Sequence, residues 1–167
     1  MRALLLALIA ALALASLSGC QAARVGRLAV GVNAEDEPVL VMASCSGSPY
    51  AISVWQAAEP DPALQHQTEL LRLENDDPRI DDPAAVSLSN PDDRWTEVER
   101  NGDFETGMYY EAMAWPDNDE NLGFVRFDLA RLNELGEDEV LYQDSQQNHV
   151  VPVAEFIDLA LDECESL

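Results

Sequence analysis

The N-terminal apolar run divides the chain into a leader and a part that can fold in water. Arg2 supplies one positive charge, and every residue from Ala3 to Ala15 is apolar. A short basic region followed by an apolar stretch of about 7–15 residues is typical of a secretory signal peptide. A transmembrane helix needs roughly 20 apolar residues, whereas this run ends before Ser16 and Ser18. We therefore predict that the protein is exported.

The leader ends in Leu17-Ser18-Gly19-Cys20, which resembles the lipobox of bacterial lipoproteins. In that family a diacylglyceryl group is attached to the Cys thiol, a peptidase cuts before the Cys, and the new amine is often acylated, for example with palmitate. The resemblance implies a signal peptide over 1–19, a lipid on Cys20 and a tether over 20–23. Stable anchoring takes two membrane signals, which the two acyl chains of that group would supply. The implied location is the outer face of the cytoplasmic membrane, or the outer membrane of a Gram-negative cell.

The remaining residues are enough for one domain, and we predict a single extracytoplasmic β-rich domain over 24–167. The chain has 32 Asp and Glu residues against 9 basic ones, for a formal net charge of −23. A field of this sign repels nucleic acid and anionic head groups. We therefore exclude nucleic acid as a partner and expect the membrane to be reached through the lipid anchor.

Three cysteines are present, and Cys45 and Cys164 are left as a pair if Cys20 carries the lipid. In an oxidising compartment such a pair is expected to form a disulfide. A bridge around this loop of roughly 120 residues would stabilise the fold by about 4–5 kcal/mol. The alternative is two buried thiols or a reactive Cys45, but a Cys nucleophile needs a His nearby, and only His66 and His149 exist.

The spacing of apolar residues predicts a mainly β domain. Alternation over residues 28–32 and 39–45 predicts a hairpin with one buried face, which includes Cys45. Further strand candidates cover residues 50–55, 85–89, 95–99, 106–115, 122–129 and 140–143, whereas residues 67–74 fit either a strand or a helical turn. About eight short strands with frequent turns indicate an antiparallel β-sandwich or an open barrel.

The C-terminal segment changes to helical spacing. One stripe of a helix would carry Val153, Phe156, Ile157, Ala160 and Cys164. A proline at the first turn is well tolerated, and an acidic residue there suits the helix dipole. A disulfide to Cys164 would therefore clamp this helix onto the second strand of the hairpin.

Several of these features together resemble small exported lipoproteins of actinobacteria, most of which have no assigned activity. The resemblance rests on Pro38-Val39 leading to Cys45, on Leu132 and Leu135 before Val140, and on Val150-Val151 followed by Phe156 and Cys164. It implies the location and the fold class. The only residues that it assigns are the lipid-bearing Cys20 and the Cys45–Cys164 bridge.

The acidic loop that begins at Asp117 is a candidate calcium-binding site. Asp117, Asp119 and Asn121 place oxygen ligands at alternate positions, and Asp128 stands at the twelfth. However, the sixth position is Leu122, where a calcium loop of the EF-hand type needs Gly, and the flanking residues indicate strands. The alternative to a Ca²⁺ site is a plain acidic hairpin loop, which these departures favour.

No signature of catalysis is present. The chain lacks a Gly-x-Ser-x-Gly elbow, zinc-ligand spacing and a Gly-rich phosphate loop.

Five aromatic residues lie on strand candidates: Trp55, Trp95, Tyr109, Tyr110 and Trp115. Some must be in the core, and any left exposed together would form a contact patch for a protein or a glycan. We expect a non-catalytic, membrane-anchored binding or envelope-accessory module. The alternatives are a calcium-stabilised adhesion-type module and, third, a hydrolase that uses acidic residues.

Overall fold

The computed structural model describes residues 23–45, 49–58, 68–75, 84–116, 120–144 and 147–165. Within these ranges there are twelve strands: β1 Ala23–Arg24, β2 Gly26–Val32, β3 Pro38–Ser44, β4 Ala51–Ala57, β5 Thr68–Glu74, β6 Ala84–Ser87, β7 Thr96–Arg100, β8 Tyr109–Trp115, β9 Glu120–Asn121, β10 Phe124–Phe127, β11 Glu139–Asp144 and β12 Gln147–Pro152. The two helices of the same ranges are α1 Leu129–Leu132 and α2 Val153–Cys164.

Ten of these strands form two five-stranded sheets. Sheet I has the order β12-β11-β2-β3-β6, and sheet II has the order β10-β8-β4-β5-β7. All neighbours within each sheet are antiparallel, whereas β1 and β9 form a separate parallel pair. The predicted antiparallel β-sandwich is confirmed. The expected eight strands were too few, because several segments with few apolar residues also pair as strands.

The main core lies between the two sheets. Alternate residues of the central strands point inward, as the period of two predicts. These include Leu28, Val30, Leu40 and Met42 of sheet I, and Ile52, Val54, Leu71, Leu73, Ala112, Ala114 and Val125 of sheet II. Leu132 of α1 is buried in the same core, and Leu129 and Leu135 pack against it. Each large apolar side chain buried here contributes about 1.5–3 kcal/mol.

Sheet I is buried on both of its faces. A second cluster, formed by Ala29, Val41, Val140 and Tyr142, lies on the side away from sheet II and packs against Phe156 of helix α2. The prediction of a hairpin with a single buried face was therefore wrong. On β2 this face carries Ala29, which looks neutral in the sequence, but its small size allows a helix to pack closely on the strand.

The disulfide joins this helix to sheet I. Cys45 follows β3 and is bonded to Cys164, the last residue of α2, with 5.1 Å between the two Cα atoms. The predicted pairing is thus confirmed. Beside it, Arg27 donates from Nε and Nη2 to the two carboxylate oxygens of Glu163, over 2.9 and 2.8 Å. The Arg27 guanidinium also lies 5.3 Å from the centre of the Tyr142 ring, so a covalent bond and a buried cation both hold the end of the helix.

The first strand begins at Ala23, which is the last residue of the predicted tether and one residue before the predicted start of the domain. Cys20 and the leader lie outside the described residues. Neither helix of the described ranges has the length and apolar character that crossing a membrane requires.

Candidate functional site

The outer face of sheet II carries the most distinctive group of side chains. Strand pairing places Trp55 of β4 opposite Glu111 of β8, and Glu111 opposite Arg126 of β10, so the three form one row across the sheet. The next row contains Ser53, Met113 and Phe124, and the row after it contains Ala51 and Trp115. Residues directly opposite each other share a face of the sheet, so these rows make one continuous surface. We call it the sheet II outer face.

Two tryptophans define the middle of this face. The Trp55 and Trp115 rings have centroids 6.1 Å apart and stand at 80° to each other, an edge-to-face pair. Both side chains are half-buried, and the row containing Ser53 and Met113 lies between them. Such a pair contributes about 0.5–1.5 kcal/mol beyond the area it buries. The two indoles are therefore held in fixed orientations while part of each remains accessible.

An ion pair with a buried carboxylate lies next to Trp55. Glu111 is only 2% exposed although it points to the outer side of the sheet, and Arg126 Nε donates to its Oε2 atom. The Arg126 guanidinium also stacks over the Phe124 ring, 4.7 Å from its centre. The carboxylate and the ring together fix the plane of the guanidinium. A planar, oriented guanidinium is suited to binding carboxylate, amide or hydroxyl oxygens.

Charged residues surround this aromatic centre. Arg72 of β5 lies opposite Ser53 and pairs with Glu74 over 3.1 Å, while Glu99 of β7 lies opposite Arg72. Asn101 donates to Glu99 over 2.6 Å. An apolar centre with a polar rim is the usual arrangement of protein binding surfaces.

The five aromatic candidates divide into core and surface groups. Trp95 and Tyr110 are buried, so neither belongs to a contact patch. The Tyr110 hydroxyl donates to the Glu105 carbonyl and accepts from the Glu105 backbone N–H, over 3.0 and 2.6 Å. Burial raises the pKa of Tyr110 above its ordinary value. Trp55 and Trp115 lie on the sheet II outer face, and Tyr109, which is 40% exposed, begins β8 at its edge.

Two of the four calcium candidates lie within the described residues, on either side of strand β10. The Asn121 side-chain oxygen accepts a hydrogen bond from the Gly123 N–H over 2.8 Å. Asp128 caps helix α1 by accepting from the Arg131 N–H, also over 2.8 Å. The strand between them spans about 10 Å, so these two oxygens do not come from one compact loop.

The other two candidates, Asp117 and Asp119, lie outside the described residues. Among the residues that are described, no group of three His, Cys, Asp or Glu side chains is close enough to hold a metal ion. Calcium binding therefore stays a prediction.

The residues considered for nucleophilic chemistry have structural surroundings. Cys45 is bonded to Cys164, so its sulfur is not a free thiol. The His149 ring stacks on Tyr142, with 5.0 Å between the ring centres. His66 lies outside the described residues.

Sequence reasoning missed the Glu111–Arg126 pair. The two residues are 15 positions apart, and only the register of β8 against β10 brings them together. No protein-family model matches this chain, and it has no significant match among curated proteins or solved structures. The functional proposal therefore depends on the lipobox-like motif and on the geometry of the sheet II outer face.

Proposed function

We propose that this protein is an exported, lipid-anchored binding module without catalytic activity. In this proposal a lipid on Cys20 holds the domain at the membrane, and the sheet II outer face contacts a partner of the cell envelope, either a protein or a glycan. The lipobox-like Leu17-Ser18-Gly19-Cys20 supports the anchor. The Cys45–Cys164 disulfide is compatible with an exported protein, because such bonds persist in oxidising compartments.

The observation that carries the binding role is the arrangement of Trp55, Trp115 and Arg126. Trp and Arg are the residue types that contribute most to binding energy at interfaces. Here they lie on one face, half-buried and already held by ring contacts and an ion pair. A partner would therefore find these groups ordered before it binds, which lowers the entropic cost of association.

The charge of the domain narrows the class of partner. The arginines of this face already pair with carboxylates of the same chain: Arg126 with Glu111, and Arg72 with Glu74. With a formal net charge of −23, the protein repels polyanions. The proposed partner is therefore neutral or basic.

Capture of envelope partners by the native lipidated protein tests this proposal. We expect Trp55→Ala to weaken the captured interaction roughly 10-fold or more, as the loss of a hot-spot residue does. Leu161→Ala is the matched control, because Leu161 is 45% exposed on helix α2, on the opposite side of the sandwich.

Two results would contradict the assignment of this face. Either Trp55→Ala would capture the same partners as the wild type, or Leu161→Ala would lose them as well. A cooperative urea unfolding transition in each variant would show that the fold is intact. The capture is then repeated with the purified partner, to give dissociation constants for the wild type and both variants.

A further inference from the structure

The point at which the tether enters the fold constrains how the domain lies on a membrane. Only Gln21 and Ala22 separate Cys20 from Ala23, where β1 begins. An extended chain advances at most about 3.6 Å per residue, so the start of β1 lies within roughly 11 Å of a lipidated Cys20. The end of the sandwich that contains β1 must therefore be the end nearest the bilayer.

Hydrogen bonds identify what else lies at that end. Val25, which follows β1, donates from its N–H to the Asn121 carbonyl over 3.0 Å. The Leu122 N–H donates to the Ala114 carbonyl over 3.0 Å, which places the last residues of β8 beside β9. The C-terminal end of β8 thus lies next to the point where the tether enters.

Two aromatic side chains with accessible surface occur there. Trp115 ends β8, and the Tyr50 N–H donates to the Trp115 carbonyl over 2.8 Å. Tyr50 is 38% exposed, and Trp115 is half-buried. Trp and Tyr are the residues enriched at membrane–water interfaces, because each combines an apolar ring with a polar group. We refer to β1, β9, Tyr50 and Trp115 as the tethered end.

The opposite end is remote and acidic. Strand β2 runs away from β1 for seven residues, a rise of about 23 Å, to the turn that contains Glu35 and Asp36. Both side chains are exposed. Nothing in this turn suits an anionic or apolar membrane surface.

We propose that the tethered end rests on the bilayer, with Tyr50 and Trp115 in the interface and the strands running away from the membrane. This inference rests on the lipid anchor of the proposed function. It places Trp55 and Arg126 farther from the bilayer than Trp115, since Trp55 lies four residues along β4 from the position opposite Trp115. The part of the sheet II outer face around Trp55 then remains open to a partner while the anchor is in place.

Charge decides which lipid surface allows this contact. Glu74 and Glu120 lie at the tethered end, because the next residue, Asn75, donates from its N–H to the Tyr50 carbonyl and because Glu120 belongs to β9. Strand β1 also contributes one basic residue, Arg24. The formal net charge of the chain is nevertheless −23, which repels anionic head groups. The contact is therefore with a zwitterionic bilayer, and anionic lipid weakens it.

Tryptophan quenching by brominated phosphatidylcholine measures this orientation. The mature chain from Cys20 is coupled through that thiol to a maleimide lipid in the vesicles, which reproduces the short tether. One variant keeps only Trp115 (Trp55→Phe with Trp95→Phe), and its match keeps only Trp55 (Trp95→Phe with Trp115→Phe). We expect the quenched fraction to be roughly twofold or more larger for Trp115 than for Trp55, because Trp115 lies in the interface.

Equal quenching of the two variants, or stronger quenching of Trp55, would overturn the orientation. Anionic phosphatidylglycerol vesicles provide a second arm, in which quenching of Trp115 should fall at low salt and recover as salt screens the repulsion. Stronger quenching of Trp115 in the anionic vesicles would overturn the proposed preference for a zwitterionic surface.

If either tryptophan variant fails to fold, hydrogen exchange of the wild-type sequence tests the orientation instead. Hydrogen exchange of the coupled protein should slow at β1, β9 and Tyr50 on vesicles, and stay unchanged in the turn at Glu35 and Asp36. Slowing at that turn instead would overturn the orientation. The mass of the native N-terminus tests the anchor separately, so a missing lipid on Cys20 and a wrong orientation give different results.

Discussion

The outer faces of the two sheets differ in what covers them. Sheet I is covered by helix α2, whose Phe156 is fully buried against Ala29, Val41 and Val140. Within the described residues helix α2 packs on strands of sheet I, whereas the sheet II outer face carries its own large side chains, chiefly Trp55 and Trp115. One face is thus closed by a helix and a disulfide, and the other keeps large aromatic groups at the surface.

This difference separates structural roles from binding roles. The side chains under α2 are mostly small or apolar, and the buried Arg27 beside them pairs with Glu163 of the helix itself. On sheet II a buried carboxylate, Glu111, holds an arginine at the surface instead of an apolar side chain. A buried charge has a desolvation cost, which pairing with Arg126 offsets while part of the guanidinium stays exposed. The comparison predicts large stability effects on sheet I and large binding effects on sheet II.

The largest expected effect on stability comes from the disulfide. Replacing Cys45 and Cys164 together by Ala opens a loop with a sequence separation of 119 and should lower the free energy of unfolding by about 4–5 kcal/mol. Urea unfolding of the mature domain measures this. A loss below about 1 kcal/mol would mean that packing alone holds α2 on sheet I.

Phe156 provides the next test. Phe156→Ala should lower the free energy of unfolding by about 3–5 kcal/mol, because the ring is fully buried between α2 and sheet I and its removal leaves a cavity. Leu161→Ala on the exposed side of the same helix should change stability by less than about 0.5 kcal/mol. Similar effects of the two substitutions in urea unfolding would contradict the closed state of the sheet I outer face.

The ion pair on sheet II should have an intermediate effect. Arg126→Met leaves Glu111 buried without its charged partner and should cost about 2–3 kcal/mol. Arg94→Met serves as the control, since Arg94 and Asp92 form a pair with both side chains more than 40% exposed, worth at most about 1 kcal/mol. If the two substitutions lower the free energy of unfolding by the same amount, Arg126 does not stabilise the buried charge of Glu111.

The smallest effect concerns the pH dependence of that surface pair. The side-chain hydrogen bond from Arg94 lowers the pKa of Asp92 below its ordinary value of 3.8. Because the folded pKa is the lower one, the pair stabilises the protein above pH 3.8, and this contribution is lost as the pH falls through the folded pKa. Asp92→Asn should therefore lower stability slightly at neutral pH, by less than about 1 kcal/mol, and not at strongly acidic pH.

Unfolding curves of the wild type and Asp92→Asn across this pH range check the sign. A difference between the two proteins that grows as the pH falls would contradict the lowered pKa. The pair belongs to neither outer face, so its effect also gives the background against which the Arg126 result is judged.

Much of the fold could be predicted from residue spacing. The helix from Val153 to Cys164 has a strong apolar stripe and was predicted over the same residues. The strands Gly26–Val32 and Pro38–Ser44 follow the predicted hairpin, because their alternation is regular and a polar turn separates them. The disulfide could be predicted once a single cysteine was assigned to the lipid.

Other elements depend on contacts that local patterns do not contain. Strand β12 begins with Gln147, Asn148 and His149, which look like a loop, but pairing with β11 at the edge of sheet I makes them a strand. In β5 Leu70 is an extra residue between the partners of Val54 and Trp55, so two consecutive leucines are buried and the alternation is broken, which is why the sequence left this segment undecided. On β3 the stripe that includes Val41 and Ala43 was predicted to be buried, but burial of the same face on β2 was missed, because Ala29 carries too little apolar surface to signal it.

For the candidate site, the sequence supplied the residues but not their grouping. Trp55 and Trp115 were among five aromatic candidates, and only the strand register shows that these two lie together while Trp95 and Tyr110 are in the core. Arg126 and Glu111 gave no local signal, since both are charged residues on strands of a highly charged chain.

The central claim is that a lipid on Cys20 places a disulfide-bonded domain outside the cytoplasm. The most direct test is the intact mass of the native protein, followed by peptide mapping without reduction. The account predicts a chain that begins at Cys20, carries a diacylglyceryl group on that residue and contains the Cys45–Cys164 bond. A native chain that still begins at Met1, with three free thiols and no lipid, would contradict it.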